Sequence, residues 1–421
     1  MRIGIIGGGG AGLSAAWLLS DHHQVTLFEK EARLGGHADT VYVDVDGAPV
    51  GIDAGFEFFS EAMFPTFVKL LKILNVPLRE FEMTVSFYPT DHSRITYLPP
   101  LRDGKLIWRS LTPQHLINFL QLQYVLKQAR QLNDNRDIQL TIQDYLASLP
   151  LTKKFKKEFI NPFLLASWCC EPEDFNDFVA YNVLRYSYKH QLSGLKPFIW
   201  TEIAGGTQAY VQALQRTLDQ TTLKLGTTIS SITHADSGYT VRELNGQIHL
   251  FDHLVIATNA NQAADLVKDL SFTEPVRALL NQVEYFQTTI AVHSDERLMP
   301  ADRRAWSLVN TRYDGQHSSY TIYKPWLSPR RSIFKSWVTY DAHLPEKLYA
   351  TTQYLHAKVN RAYFKTQQAL PPYQGQNNLW FAGLYTHDVD CHESAIMSGV
   401  NIARQIEPQS TRLKKLQVEL I

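Results

Sequence analysis

Cysteine is scarce in this chain: three residues in 421, two of them adjacent (Cys169, Cys170). That set builds no disulfide framework and suits a reducing compartment, so a cytoplasmic location is expected. Net charge is absent as well, because 41 Lys plus Arg balance 41 Asp plus Glu. No global field draws the protein to nucleic acid or to an anionic membrane, and any such contact must be local. Long apolar runs are missing too: none reaches the roughly eighteen charge-free residues that a membrane-spanning helix needs. The opening MRIGIIGGGGAGLSAAWLLS is apolar enough for a signal peptide, but its four consecutive glycines would break the helix of an h-region, so no signal is expected. Neither an internal repeat nor a low-complexity tract occurs. What remains is a globular composition, 44% hydrophobic and 19% charged, long enough for about two to four domains or one large α/β domain with insertions.

The β-branched run Arg2 to Ile6, the glycines after it, an apolar helix Leu13 to Leu19 and the strand Val25 to Phe28 make a β-α-β unit. A parallel sheet follows from it. Ala62 to Leu74 has helical period, with Phe64, Phe67, Leu70, Leu71 and Leu74 on one side. Beyond Val76 come strand-like pieces (Thr84 to Tyr88, Ile95 to Leu98). A helical region follows: Thr112-Pro113 caps Leu116 to Leu132, and Thr141-x-x-Asp144 starts a shorter helix. Lys153, Lys154, Lys156 and Lys157 read as a solvated helix face or, alternatively, as a membrane-surface patch. Asn245-Gly246 between Tyr239 to Glu243 and Gln247 to Leu250 predicts a hairpin, Leu254 to Ala257 a buried strand, and residues 283 to 340 an antiparallel sheet. Leu379 to Ala382 is the last strand and Ser394 to Gln405 the last helix.

Gly7-x-Gly9-x-x-Gly12 follows a strand and opens a helix, the context that a dinucleotide fingerprint requires. Gly7 makes the turn, Gly9 lets a pyrophosphate approach, Gly12 permits helix-strand contact, and the helix N-terminus favours the anion. Glu29 closes the second strand where a carboxylate accepts both hydroxyls of an adenosine ribose. A carboxylate there also repels a 2′-phosphate, which argues against NADP.

The run Glu29-Lys-Glu-Ala-Arg33-Leu-Gly35-Gly36-His37 resembles the flavin-containing amine-oxidase superfamily, in which an acid, an Arg and a Gly pair recur at this spacing. Many members carry Arg where this chain has His37. That departure, with Glu31, is similar to a branch of NAD/FAD-binding oxidoreductases often found beside cyclopropane-fatty-acid-synthase-like methyltransferases. Ile52 to Phe56, Trp200 to Tyr210, Phe251 to Thr258, His293 to Trp306 and Trp380 to Gly399 resemble later blocks of that branch, in its order.

The resemblance implies FAD as cofactor and an α/β fold: a Rossmann-like (glutathione-reductase-like) domain from residues 1–76, 201–282 and 370–421, and an α+β substrate domain from 77–200 and 283–369. It places Gly7, Gly9, Gly10, Ala11, Gly12, Glu29, Lys30, Arg33, Gly35, Gly36 and His37 on the cofactor, Arg33 near its phosphates. Gly55 and Phe56 join them, with Ile229, Ala257 and Thr258 at the adenosine end and Gly383, Glu393, Ser394 and Ala395 at the pyrophosphate and flavin. The helix starting near Glu393, with Gly399 inside it, is expected to face the flavin. His387, Asp388, Asp390, Cys391, His392 and Glu393 could instead be read as a metal cluster, but their irregular spacing leaves metal unassigned. Cys391 as a covalent flavin link is a further reading, while Cys169 and Cys170 read as core.

Amine oxidases of this superfamily commonly use a Lys on a substrate-domain strand. Here the comparable strand, Val283 to Ile290, has none and offers Gln287, so the candidates beside the flavin are Gln287, His392 and Glu393. An apolar, lipid-derived small molecule is the expected substrate. It would reach the flavin through a channel lined by aromatics drawn from Trp168, Tyr181, Trp200, Tyr320, Tyr323, Trp326 and Trp337. Amine oxidation is the alternative, and a non-catalytic protein of the same fold, like the prenyl-protein escort proteins, a second one. Peripheral membrane contact is compatible with this reading, and oligomeric state is not legible.

Overall fold

A computed structural model describes residues 1–45, 47–92, 94–98, 101–102, 105–108, 111–189, 198–328 and 330–416. The chain opens with β1 (Arg2–Ile6), α1 (Gly10–Leu19) and β2 (Gln24–Phe28), then a hairpin of β3 (Thr40–Val45) and β4 (Ala48–Asp53). Helix α2 (Pro65–Ile73) buries Phe67, Val68, Leu70 and Leu71 and stops at Asn75, whose φ of 52° no helix accommodates. Strands β5 (Leu78–Met83), β6 (Val85–Pro89) and β7 (Thr96–Leu98) lead to α3 (Pro113–Asp134), whose Thr112 cap accepts from the His115 N–H. Shorter helices follow, then α4 (Ala180–Lys189) and β8 (Phe198–Ile203).

Next come β9 (Thr221–Lys224) and the meander β10 (Ile229–Ala235), β11 (Gly238–Glu243) and β12 (Ile248–Phe251), with Gly246 at φ 93° in the expected Asn-Gly turn. After β13 (His253–Ile256), the strands β14 (Tyr285–His293), β15 (Val309–Tyr313), β16 (Ser318–Tyr323), β17 (Phe334–Trp337) and β18 (Leu348–Ala357) build the second half. The chain returns through β19 (Leu379–Phe381) to α5 (His392–Ile406).

Five parallel strands form one sheet in the order β9-β2-β1-β13-β19. Ile3, Ile5, Val25, Leu27, Val255 and Ile256 are buried in it, the continuous apolar strands of a sheet covered on both faces. The other large sheet has seven strands in the order β18-β14-β17-β16-β15-β6-β7, antiparallel except for the β15–β6 pair. The first sheet draws on residues 2–28, 221–256 and 379–381, the second on 85–98 and 285–357. We propose the division expected above on that basis, with β8 continuing across its boundary to pair with β5. Two elements were not legible beforehand. β18 (LYATTQYLHA) has no clean alternation because it is an edge strand, and in the β3–β4 hairpin the second strand carries Pro49 and Gly51, which weaken a strand signal.

Candidate functional site

Between β1 and α1 the backbone turns so sharply that a Cβ on Gly7 would lie 2.3 Å from the Ala257 carbonyl oxygen, and one on Gly12 1.8 Å from the Gly7 oxygen. Protein crowds both positions. At Gly9 a Cβ would meet nothing within 4 Å. The space there adjoins the unpaired N–H groups that open α1, where an anion is favoured. A second glycine turn backs onto it: the Gly35 N–H donates to the Gly8 oxygen at 2.8 Å, and a Cβ on Gly36 would meet only Gly9. Such a cradle fits a dinucleotide pyrophosphate.

Glu29 ends β2 with one carboxylate oxygen accepting from the Gly8 N–H at 2.7 Å and the other from the Glu31 N–H at 2.9 Å. Two backbone donors fix it, and lone pairs remain for two hydroxyls. The Glu29 N–H donates to the Lys224 oxygen and the Thr227 N–H to the Glu29 oxygen, which brings the start of β10, and Ile229 with it, near the acid. Ala257 and Thr258 pack against Gly7. Lys30 is exposed and 3.8 Å from Glu31.

Arg33 donates to the Gly36 oxygen at 3.2 Å and pairs with Asp39 at 2.9 Å, which also accepts from the Tyr354 hydroxyl. Gly55 is held against the Gly pair because the Phe56 N–H donates to the His37 oxygen, and a Cβ on Gly55 would lie 2.0 Å from that oxygen. The His37 ring stacks parallel on His356 of β18, centroids 5.6 Å apart. Burial pushes His37 down to about 4 and His356 to about 3, so both imidazoles are neutral in the protein alone. His356 has no sequence signal: strand pairing alone brings it here.

At the C-terminal end, α5 packs along α1, and the two helices begin side by side. His392, in the first turn of α5, lies 2.8 Å from where a Gly10 Cβ would be, stacks on Phe56 at 4.6 Å and shares a 2.9 Å hydrogen bond with the Tyr210 hydroxyl. Ser394 and Ala395 are buried in the same turn, Ala11 contacts α5 near Gly399, and the Gly383 N–H donates to the Ser398 hydroxyl. The Glu393 carboxylate caps α2: its two oxygens accept from the Thr66 and Phe67 N–H groups, each at 2.8 Å. Gly399 faces α1. A Cβ there would lie 2.2 Å from the Ser14 hydroxyl, so this glycine exists for the α1–α5 crossing. Cys391 is buried at the N-cap, and burial pushes its thiol up to about 12.

Facing this region is the seven-stranded sheet. Phe286, Thr288 and Ile290 of β14 pair with His356, Tyr354 and Thr352, on the face that carries His356 toward His37. Gln287 takes the opposite, exposed face, as the two-residue period of a strand requires, and does not join the cleft residues. A lysine is present on the sheet after all. Lys335 of β17 is buried and donates to the Gly55 oxygen and to Glu57, each at 2.7 Å. Glu57 also pairs with Lys324, which pairs in turn with Glu202, each at 2.8 Å. Burial pushes Lys335 down from the usual ammonium value, with Glu57 opposing it. No spacing rule links Lys335, Glu57, Lys324 and Glu202, and sequence reasoning missed all four.

An aromatic row leaves Phe56: Phe64 lies at 5.6 Å, Tyr186 at 6.1 Å from Phe64, and Trp200 at 6.3 Å from Tyr186. Tyr320 and Trp337 meet edge to face at 5.9 Å on the sheet. Trp326 donates to Glu202, while Trp168 and Tyr181 donate to Asp390 and Asp388 and are structural. Tyr323 packs on Trp306 and Phe334.

Comparison with known proteins agrees with this geometry. Residues 11–347 match the profile of the flavin containing amine oxidoreductase family. Among solved structures, the fold resembles a CLA-producing fatty acid isomerase from P. acnes (TM-score 0.69, 16% identity, 96% of this chain and 98% of that one). It also resembles a putative protoporphyrinogen oxidase from Exiguobacterium sp. 255-15 (TM-score 0.67, 14% identity, 97% and 99%). Cyclohexylamine oxidase from Brevibacterium oxydans IH-35A is a third (TM-score 0.67, 16% identity, 96% and 99%). With the family profile matched over most of its length, the chain belongs to the flavin containing amine oxidoreductases and is an FAD-dependent oxidoreductase.

Proposed function

We propose that this oxidoreductase acts on an apolar, lipid-derived small molecule, and the observation that carries the proposal is the aromatic row from Phe56 to Trp200. Phe56, Tyr186 and Trp200 each keep some accessible surface, so the row offers a ligand π-faces and hydrocarbon. The carboxylates on that side, Glu57 and Glu202, are taken up by Lys324, Lys335, Arg79 and Trp326, which leaves neither of them to a substrate ammonium. The fatty acid isomerase of the same fold is a structural precedent for an acyl chain.

When bound, FAD supplies the two-electron acceptor for such a substrate. In this reading Gly9, Gly36, Glu29 and Arg33 bind and orient it, and the paired N-termini of α1 and α5 favour negative charge beside Gly9 and Gly10. His392, held by Tyr210 and stacked on Phe56, is pushed by burial down to about 3, so it borders this end of the cradle as a neutral imidazole.

Amine oxidation is the second reading, favoured by Lys335 on the cleft face of the sheet. Anaerobic mixing of the oxidised protein with a panel of fatty acids and isoprenoids, and separately of primary and secondary amines, decides between them. Bleaching of the flavin by a lipid and not by amines is the expected result. Rapid bleaching by a simple amine and by no lipid would overturn the proposal.

A further inference from the structure

Helix α3 is apolar on two opposite sides. Leu122, Val125, Leu126, Ala129 and Leu132 face the protein and are buried, in part against α4. At about 100° per residue, Leu116, Ile117, Leu120 and Tyr124 fall within about one 100° arc on the other side. They are exposed: Leu116 retains 60% and Leu120 58% of its accessible surface, and Trp108, just before the helix, 77%. With Leu111, six of the seventeen exposed large apolar side chains among the described residues lie between 108 and 124. Scattered exposure is ordinary, but this concentration is not. From Leu111 to Leu126 the sequence has no Asp, Glu, Lys or Arg, in a chain that is 19% charged.

Charge borders the stripe. Lys127 continues it at the C-terminal end, and Gln121 accepts from the Thr152 N–H at 2.7 Å, which sets Lys153 and Lys154 beside the middle of the helix. Lys127, Lys153, Lys154 and Lys157 are exposed and have no ion-pair partner among the described residues; the nearby acids Glu158 and Asp134 already pair with Arg94 and Arg130. An uncharged apolar stripe with a tryptophan at one end and unpaired lysines along its flank matches the interfacial region of an anionic bilayer: apolar side chains reach the acyl boundary and ammonium groups meet lipid phosphates.

We propose that α3, with Trp108 and Leu111, docks the protein on the surface of an anionic lipid bilayer. Docking there places lipid one helix away from the aromatic row, because α3 packs on α4 and α4 carries Tyr186.

Flotation of the full-length protein with phosphatidylcholine vesicles, with and without phosphatidylglycerol, tests this without measuring turnover, so its outcome is separate from the identity of the substrate. The wild type is expected to float with the anionic vesicles at least tenfold better than with the neutral ones. L116E/L120E, which changes two exposed positions, should lose that binding while keeping wild-type flavin content and Tm. K153E/K154E should weaken it by about fivefold or more per lysine, an effect that added salt reproduces. A wild type that stays in the soluble fraction with both vesicles overturns the proposal, as does L116E/L120E floating like the wild type. Equal flotation with both compositions contradicts its electrostatic half. A wild-type dimer that ignores vesicles and dissociates in L116E/L120E would assign the stripe to a second copy of the chain instead.

Discussion

Glycines and one acid define the cofactor end residue by residue, and the three fingerprint glycines serve different needs. Gly7 and Gly12 are required by the protein's own backbone, whereas Gly9 is required only by something the polypeptide does not contain. Glu29 is spent partly on the Gly8 and Glu31 N–H groups and partly on the ribose it is expected to hold. Glu29→Ala should therefore weaken FAD by about 1–3 kcal/mol, the range for leaving hydrogen-bonding groups unpaired, read as flavin retained after dialysis. Full retention would remove Glu29 from the site. These positions were legible because their spacing is local, set within one β-α-β unit. The capping role of the Glu393 carboxylate is not legible for the opposite reason: its partners, Thr66 and Phe67, lie more than three hundred residues away, and the sequence holds no sign of which helix end it would cap.

Among the elements, α1 and α5 cross closely beside the site. Gly399→Leu would drive a side chain into Ser14 and Ala11, so it should lower Tm by several degrees together with flavin content, not the flavin alone. A normal Tm with lost flavin would show instead that this part of α5 packs on the cofactor. The segment leading into α5 also carries a titrating group. Burial pushes Asp390 up to about 6, against hydrogen bonds from Asn182 at 2.6 Å and Trp168 at 3.2 Å. A carboxyl whose folded pKa exceeds its unfolded value binds more protons when folded. Its contribution is favourable at acid pH and is lost as pH rises through about 6. The Tm of the wild type relative to Asp390→Asn should accordingly fall between about pH 4 and pH 6, the window between the ordinary carboxyl value and the shifted one. A pH-independent difference would show that Asp390 is not shifted. The continuous apolar runs of β1 and β13 and the helical period of α2 could be read from sequence; the edge strand β18, which supplies His356 and Tyr354, could not, because its exposed positions are as apolar as its buried ones.

At the scale of the whole molecule, the buried chain Lys335–Glu57–Lys324–Glu202 ties the seven-stranded sheet to the Gly55–Phe56 segment beside the cofactor cradle. Lys335→Met leaves one Glu57 oxygen and the Gly55 oxygen without their donor, which should cost about 3–5 kcal/mol. A lower denaturant midpoint at unchanged m-value would record it; a shift below 1 kcal/mol, roughly the value of a surface pair, would mean that this chain does not bind the two halves together. Fold class followed from the order of elements, since a β-α-β start and a later antiparallel run leave few architectures. The contacts of Lys335 with Gly55, of His356 with His37 and of Tyr210 and Phe56 with His392 did not, because they form only once both sheets are built. The central claim is that this cradle holds FAD, and the most direct test compares wild type with Gly9→Val. The wild type should purify yellow, with a flavin spectrum, and release FAD on denaturation. Gly9→Val, whose side chain meets no protein atom at its Cβ, should keep the wild-type circular dichroism and be colourless. A folded wild type without flavin, or a folded Gly9→Val that retains full flavin, would contradict the account.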